Sequence, residues 1–357
     1  MLTVQAFLQK HHIEDNVLAV GVSGGADSMA LALMLQEQLA VFGRRIVALT
    51  VDHHLRPNSS QEAQYVAEVM QKFGIEHHIL EWFGAKPQAN VEAVAREARY
   101  GLLKDWCEAH QIRCLFVAHH SQDQAETFLL RLRRGSGLEG LCAMRELSEW
   151  QGLKILRPLL SWRPQELQAY LQTKNVAWIT DESNRDKRFE RNKMRAFLPL
   201  LQQKSGISVE KICTAARCLQ SAEDYIETQV EAIMESSVHC YGRHVFYFRF
   251  SDFLSWHAEI QFRILARLSR QKYMPRAERV LHLIEKLHHL PFTSATLGQK
   301  EFILAGQTVW VVPEIRQKTH FKAKDWADFT AQNSDYQKIK LPYQVRHTLM
   351  MEAKGDL

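Results

Sequence analysis

Apolar residues in the first 135 positions follow two alternating spacings. Four short runs are rich in apolar or β-branched residues, as expected of strands in a parallel sheet that helices cover on both faces; they are residues 17–23, 45–53, 76–82 and 114–120. Between them apolar residues recur with a helical period, and one such stripe consists of Val91, Val94, Ala95, Ala98 and Leu102. This alternation predicts an α/β domain with a doubly wound, mostly parallel sheet.

Polar residues stand where three of these predicted strands end. Ser23, His53 and His119 follow or close the first, second and fourth runs. In open α/β sheets, ligands bind beyond the carboxyl ends of the strands, where neighbouring ends meet. We therefore expect these three side chains to line one crevice.

The pattern changes after residue 135. Residues 135–204 are typical of loops and helices rather than of a sheet, and long helical runs dominate from 205 to about 290. Residues 301–314 predict a hairpin with Ala305 and Gly306 at its turn. We predict a catalytic domain over 1–204, a mainly helical domain over 205–316 and a short C-terminal tail over 317–357, in line with 357 residues at roughly 150 per domain. Whether the tail is a truncated third module is left open.

Composition and charge narrow the class of protein. With 46% hydrophobic and 24% charged residues, the chain is not mainly disordered. The net charge of +5 is unevenly placed, because residues 1–122 carry −3 and the remainder carries +8. A polyanionic partner is therefore expected to bind the second part of the chain.

Cysteine usage and the apolar runs predict a cytoplasmic protein. The six cysteines show neither a CxxC pair nor zinc-finger spacing, which is typical of a reducing compartment. No apolar run reaches the roughly 18 residues that span a membrane, and residues 1–15 do not follow a signal-peptide pattern. Five adjacent histidine pairs do not predict a metal site, because neighbours on a strand point to opposite faces.

The segment SGGADS, residues 23–28, follows the first predicted strand and precedes a helical run. Its glycines allow close backbone approach, and its hydroxyls and amides are donors suited to phosphate. Asp27 would repel phosphate unless a cation lay between them, which predicts Mg²⁺ bound with a nucleotide. The alternative is an ordinary turn in which Asp27 or Ser28 caps the helix. The string GxxxxGK[ST] does not occur, which disfavours P-loop phosphoryl transfer.

Further motifs point to a family. They are VDHHLRP (51–57), NVEAVAREARY (90–100), AHHSQDQAETFLLRLRRGSGLEGL (118–141), RPLL (157–160) and DESNRDKRFERNKMR (181–195). In this order and spacing, together with SGGADS, they make the chain resemble the tRNA(Ile)-lysidine synthetase family of N-type ATP pyrophosphatases. The resemblance is dense over about residues 15–200 and loose over the helical domain.

The resemblance implies a ligase reaction. The carbonyl oxygen at carbon 2 of the wobble cytidine in isoleucine tRNA attacks the α-phosphate of ATP, and pyrophosphate leaves. The ε-amine of free L-lysine then attacks carbon 2, and AMP leaves. ATP, Mg²⁺, lysine and isoleucine tRNA are the expected cofactors and partners, and whether the protein is a homodimer is left open.

The resemblance also implies site residues. The residues expected to contact ATP are Ser23, Gly24, Gly25, Ala26, Asp27, Ser28 and His53, with Asp27 also holding the metal. The expected catalytic residues are Asp27, Arg96, Arg99, Asp123, Glu126 and Arg195. The residues expected to contact tRNA or lysine are His119, His120, Arg133, Arg134, Arg188, Arg191 and Asn192. The family usually has two consecutive aspartates where this chain has Gln122 and Asp123, so Asp123 and Glu126 are the expected carboxylates for Mg²⁺ or the amine.

Two other functions stay open. The first is a tRNA-thiolating enzyme of the same ATP pyrophosphatase class, which uses cysteine chemistry; the absence of CxxC disfavours an iron–sulfur version. The second is a non-catalytic RNA-binding protein that retains a nucleotide-binding fold. Without the resemblance, each charged run could also be an ordinary solvated helix face.

Overall fold

The computed structural model describes residues 3–54, 58–83, 91–180, 190–270, 274–314, 323–332 and 341–354. The chain divides into two compact units, Met1–Glu223 and Asp224–Leu357, each with its own apolar core. In the described ranges no helix combines the length and the apolar character needed to cross a membrane.

A six-stranded sheet forms the centre of the first unit. Its strands are β1 (Val17–Gly21), β2 (Arg45–Asp52), β3 (Glu76–Glu81), β4 (Cys114–Phe116), β5 (Leu147–Trp150) and β6 (Leu153–Leu156). Their order is β3-β2-β1-β4-β6-β5, and every neighbouring pair is parallel except β5 and β6. The predicted doubly wound, mostly parallel fold is confirmed.

Helices cover both faces of this sheet. The helices of the first unit are α1 (Val4–Lys10), α2 (Ala26–Ala40), α3 (Ser59–Lys72), α4 (Val91–Ala109), α5 (Ser121–Arg133), α6 (Leu138–Leu141), α7 (Pro164–Thr173), α8 (Glu190–Ser205) and the first part of α9 (Val209–Ser237), of which the last two pack with α5. Leu31 of α2 and Met70 of α3 pack in the core on one face. Leu103 of α4 packs on the other, so the strands are apolar on both sides.

The prediction that residues 135–204 do not build a sheet is wrong. Strands β5 and β6 extend the sheet beyond β4, and β6 lies parallel to it. Each has four residues, too few for a period-2 pattern to stand out in the sequence. Their position brings Arg157, directly after β6, to the carboxyl edge of the sheet.

The second unit contains a five-stranded antiparallel sheet beside its helices. The strands are β7 (His239–Tyr241), β8 (Val245–Arg249), β9 (Ser294–Leu297), β10 (Lys300–Ala305) and β11 (Thr308–Pro313), in the order β7-β8-β11-β10-β9. The helices are α10 (Phe250–Ser255), α11 (Ala258–Leu268), α12 (Ala277–His288), α13 (Ala323–Gln332) and α14 (Tyr343–Lys354). The predicted hairpin is present, with Ala305 paired to Thr308 and Gly306 at φ +62°. The other three strands have three to five residues and were not predicted.

The division between the units differs from the predicted boundary at 204/205. It falls inside α9, because Ile212 packs with Ala125 and Leu198 in the first unit, whereas Val230 belongs to the core of the second. Helical periodicity shows that residues 209–237 form a helix, but not which core each turn enters.

The residues predicted as a separate tail include two helices of the second unit. Leu341, Val345 and Leu349 are buried against the sheet residues Trp310 and Val312. The carboxylate of Glu352 accepts hydrogen bonds from the backbone N–H groups of Arg243 and His244. Helix α14 therefore covers one face of the sheet.

We expect Leu349→Ala to lower the free energy of unfolding of the second unit by about 2–4 kcal/mol, because it removes buried methyl groups and leaves a cavity. Leu349 is 3% exposed, whereas Leu281 on α12 is 51% exposed. Leu281→Ala is the matched control and should change stability little. Urea denaturation followed by tryptophan fluorescence measures both, and equal small effects would contradict the packing of α14.

Candidate functional site

Residues 23–28 connect β1 to α2 in a turn held by its own hydroxyls. The backbone N–H of Ser23 donates to Oγ of Ser28 (3.1 Å), and that hydroxyl donates to the carbonyl of Gly25 (3.1 Å). Helix α2 begins at Ala26, with Gly25 as its N-cap. The first amides of a helix have no intrahelical acceptor and carry a partial positive charge, so this turn is suited to bind an anion.

A residue far along the chain covers this loop. Gly24 has φ +81°, and a Cβ built there would lie 2.5 Å from Cδ1 of Ile179. The backbone N–H of Ile179 donates to the carbonyl of Gly24 (2.9 Å). Glycine is therefore required at position 24 for both its backbone angle and the close approach of Ile179. Sequence reasoning missed Ile179, because an isolated apolar residue does not indicate its partner.

A histidine lies between two carboxylates beside the loop. Nε2 of His120 is 3.4 Å from Oδ2 of Asp27 and 3.5 Å from Oδ2 of Asp123. The backbone N–H of His120 also donates to Oδ2 of Asp123 (3.0 Å), which caps the N-terminus of α5. The second oxygen of Asp27, Oδ1, is buried and makes no hydrogen bond within the described parts of the chain. One carboxylate oxygen is thus available to a ligand.

The pKa values of His120 and Asp123 shift in opposite directions. Burial lowers the pKa of His120, but the hydrogen bond to Asp27 and the charge of Asp123 outweigh it, so this pKa lies above its ordinary value. Burial raises the pKa of Asp123, but the charges of His120 and Arg191 hold it below its ordinary value. The ion pair therefore forms a charged network beside the loop.

Glu126 joins α5 to α8. Its side chain is fully buried, and its carboxylate accepts hydrogen bonds from Nε of Arg191 (2.8 Å) and Nε of Arg195 (2.7 Å). Arg191 reaches Oδ1 of Asp123 with its terminal nitrogen (2.8 Å). Both oxygens of Asp123 are also engaged, but 12% of its side chain is exposed, whereas the side chain of Glu126 has no exposed surface. The geometry therefore favours a clamp on α8 for Glu126 over the expected role as an open acceptor for an amine.

His119, next to His120, has the opposite electrostatic environment. Burial lowers its pKa to about 3; Asp123 opposes the shift, while Arg157 and Arg96 add to it. Nε of Arg157 donates to Nδ1 of His119 (3.3 Å). Arg157 was not selected from the motif RPLL because no strand was predicted before it; an arginine at the end of a strand beside β4 is the signal that would have found it.

Arg96 and Arg99, two of the expected catalytic residues, lie on α4. Nε of Arg99 donates to Nε2 of His53 (3.3 Å), and burial together with this cation lowers the pKa of His53 to about 4. Arg96 lies 5.0 Å over the ring of Tyr100. Both arginine side chains are exposed, and the structure pairs Arg99 with the end of β2.

Two other expected contact residues lie at the end of α5. Arg133 and Arg134 are at the C-terminal end of α5, where Arg133 pairs with Glu190. Arg131 donates to the carbonyls of Gly140 (2.7 Å) and Ala143 (3.0 Å) and so holds the following turn. Asn192 is half-buried on α8, and Arg188 lies outside the described residues.

Comparison with known proteins assigns this chain to a family. A family model described as a PP-loop domain matches residues 2–201, which include the loop, α5 and most of α8. The chain belongs to the PP-loop family. Membership of this ATP pyrophosphatase family implies the use of ATP.

Relatives of this PP-loop protein carry the name tRNA(Ile)-lysidine synthase. The one from Wolbachia pipientis wMel is 33% identical over 279 residues, which are 76% of this chain and 64% of that protein. The one from Bradyrhizobium sp. strain BTAi1 is 40% identical over 220 residues, 61% of each chain. The chain thus spans less than two thirds of the length of these relatives.

A solved structure shares the fold. The U34-tRNA thiolase NcsA from Methanococcus maripaludis, with its [4Fe-4S] cluster, matches with a TM-score of 0.51 at 17% identity, covering 61% of this chain and 77% of that one. At this identity the likeness extends to the fold alone.

We expect Asp27→Asn to lower the pKa of His120, because it replaces the negatively charged carboxylate beside the ring with a neutral amide. Because the pKa of His120 is higher in the folded state than in the unfolded state, its protonation stabilises the fold at pH values below the unfolded-state pKa. This stabilisation is lost as the pH rises through the folded-state pKa. NMR titration of the His120 ring, without nucleotide or metal, measures the shift. Asp105→Asn on α4, at a side chain 75% exposed, is the control; an unchanged pKa in Asp27→Asn would contradict the contact.

Proposed function

We propose that this PP-loop protein joins free L-lysine to carbon 2 of the wobble cytidine of isoleucine tRNA, with cleavage of ATP to AMP and pyrophosphate. The observation that carries the proposal is the chain of contacts from Asp27 through His120 to Asp123 beside the loop at 23–28. The similarity to relatives named tRNA(Ile)-lysidine synthase, at 33% and 40% identity, supports the choice of substrates.

The residues at the loop fit ATP with Mg²⁺. Amides at the start of α2 and the hydroxyls of Ser23 and Ser28 would bind the phosphates, with Gly24, Gly25 and Ala26 allowing close approach. Among the described residues, no group of three or more His, Cys, Asp or Glu side chains could hold a metal ion unaided. Asp27, through its orphaned buried oxygen, would hold Mg²⁺ jointly with phosphate oxygens. The bound cation would neutralise charge that develops between the α- and β-phosphates.

Two arginines of α4 suit the first step. The cytidine carbonyl oxygen attacks the α-phosphate, a new P–O bond forms, and the bond to pyrophosphate breaks. Arg96 and Arg99, which are exposed on α4, would neutralise the phosphate as it becomes pentacoordinate. His53, kept neutral by burial and Arg99, would contact the nucleotide at the end of β2. These contributions act where negative charge grows in the transition state.

Asp123 suits the second step. The ε-amine of lysine has an ordinary pKa of about 10.4 and attacks only after losing a proton. Asp123 would orient the ammonium group and accept its proton as the C–N bond forms and AMP leaves. Glu126, with Arg195 and Arg191, would keep Asp123 in place. This assigns Glu126 a positioning role, and Arg195 the role of its main partner.

The tRNA would occupy the positively charged second part of the chain. The excess of +8 after residue 122 favours phosphate contacts, which we assign to Arg133, Arg134, Arg188 and Asn192 in the first domain and to the domain predicted over 205–316. His119 would meet the base, which must leave its stack to reach the phosphate. A cytoplasmic location and a homodimer are parts of this proposal that fractionation and light scattering test.

The deciding experiment is incubation with unmodified isoleucine tRNA, ATP, Mg²⁺ and labelled lysine, followed by nucleoside analysis. We expect label in the wobble nucleoside and release of pyrophosphate only when tRNA is present. Asp123→Asn should lower the rate by about 10²-fold or more, the usual range for a lost general base, while Asp105→Asn should leave it unchanged. Full activity of Asp123→Asn at saturating lysine would refute the role of Asp123, and absence of labelled nucleoside would refute the proposed reaction.

Thiol reactivity separates this proposal from tRNA thiolation. Cys107, Cys114 and Cys142 are buried, and burial raises the pKa of the first two thiols to about 12. A thiol with a raised pKa is a weak nucleophile, because the thiolate is the reactive form. We expect a thiol reagent to modify Cys218 and Cys240, which are exposed, and to spare the buried three until denaturant is added. Rapid labelling of a buried cysteine in the native protein would favour the thiolation alternative.

A further inference from the structure

Arg157 is a buried cation whose hydrogen bonds run to neutral acceptors. It is 8% exposed, at the position where β6 ends. One terminal nitrogen donates to the carbonyl of Arg145 (3.0 Å) and to Oγ of Ser148 (2.8 Å), while Nε donates to Nδ1 of His119 (3.3 Å). Burying a guanidinium in this way is costly. The carbonyl and hydroxyl contacts hold the group so that Nε points at one nitrogen of the ring.

This hydrogen bond fixes the state of the His119 ring. A guanidinium has donors only, so Nδ1 of His119 must accept, and in a neutral imidazole the ring hydrogen then lies on Nε2. Burial and the nearby arginines lower the pKa of His119 to about 3, which keeps the ring neutral at physiological pH. Position 119 therefore carries a neutral, oriented N–H donor.

We propose that Arg157 is a positioning residue that holds His119 as the Nε2–H tautomer, so that the ring donates a hydrogen bond to a substrate oxygen at the carboxyl edge of the sheet. The inference rests on the proposed function for the identity of that oxygen. A phosphate oxygen of ATP and the carbonyl oxygen of cytidine share the required acceptor chemistry. His119 follows β4 and Arg157 follows β6, the strand paired to β4, so the pair stands at the edge where ligands bind in such sheets.

A lysine at position 157 would not orient the His119 ring as arginine does. Arginine offers several donors in one rigid plane, so bonds to Arg145 and Ser148 fix the direction of Nε. The ammonium group of lysine keeps the charge without this fixed direction. Arg157→Lys therefore separates orientation of the ring from its electrostatic environment.

The first test needs no substrate. In protein labelled with ¹⁵N-histidine, long-range ¹H–¹⁵N spectra distinguish protonated from unprotonated ring nitrogens. At pH 7 we expect His119 with hydrogen on Nε2 alone, and a mixture of tautomers in Arg157→Lys. Arg163→Lys, at an arginine 60% exposed on the N-cap of α7, is the matched control. Hydrogen on Nδ1 of the wild-type ring, or an unchanged tautomer in a folded Arg157→Lys variant, would overturn the proposal.

Kinetics supply the second test. The amide nitrogen of glutamine lies near the position of Nε2, whereas that of asparagine lies near Nδ1. His119→Gln should therefore retain more kcat for pyrophosphate release than His119→Asn, which should lose about 10²-fold, the loss typical of one missing donor. Arg157→Lys should cost about tenfold in wild type, the size seen when an orienting partner is removed, and little in the His119→Gln background. Equal losses in both backgrounds would show that Arg157 acts only on the fold.

Ligand addition identifies the acceptor. A shift of the His119 Nε2 signal on adding ATP with Mg²⁺ assigns the phosphate, and a shift only on adding isoleucine tRNA assigns the base. No shift with either would overturn the contact with substrate. If the tautomer and these shifts are found but no lysidine forms, the proposed reaction fails while the positioning role of Arg157 stands.

Discussion

The burial of the Glu126 carboxylate constrains the whole site. A buried carboxylate is tolerated only when it is paired and hydrogen-bonded, and two guanidinium groups of α8 supply both conditions here. Arg191 also holds Asp123, which caps α5 and pairs with His120, and His120 reaches Asp27 at the loop. The position of the carboxylates beside the loop therefore depends on α8, a helix that begins at residue 190.

Charges in this network alternate in sign along the contacts. The order is Asp27 (negative), His120 (positive), Asp123 (negative), Arg191 (positive), Glu126 (negative) and Arg195 (positive). Each charge is thus stabilised by its neighbours when water is excluded, and none depends on solvent alone. His119 lies beside this network, and burial together with the nearby arginines lowers its pKa, so it stays neutral although the pKa of its neighbour His120 is raised. The two adjacent histidines therefore have pKa values shifted in opposite directions.

Much of the fold and part of the site could be predicted from the sequence, and the reasons are physical. Long apolar runs identify strands such as β1 and β2, since burial on both faces leaves few polar positions, and SGGADS is informative because its residues act on one ligand within one turn. By contrast, β5 and β6 are too short for a recognisable period, and so Arg157 was missed. The clamp on Glu126 and the opposite shifts of His119 and His120 arise from contacts between distant segments, which local patterns do not encode.

Because Ile179 packs on the loop from a distant part of the chain, the order of synthesis affects when the loop acquires all its contacts. The loop is synthesised before β2, but the residue that packs on Gly24 and bonds to its carbonyl emerges from the ribosome only after β6 and α7. A nascent chain therefore carries the glycine-rich turn uncovered through most of the synthesis of the first unit. A fragment ending shortly after α5 would keep the hydroxyl contacts within SGGADS but would lack Ile179, so a piece with the complete set of contacts around Gly24 extends to residue 179.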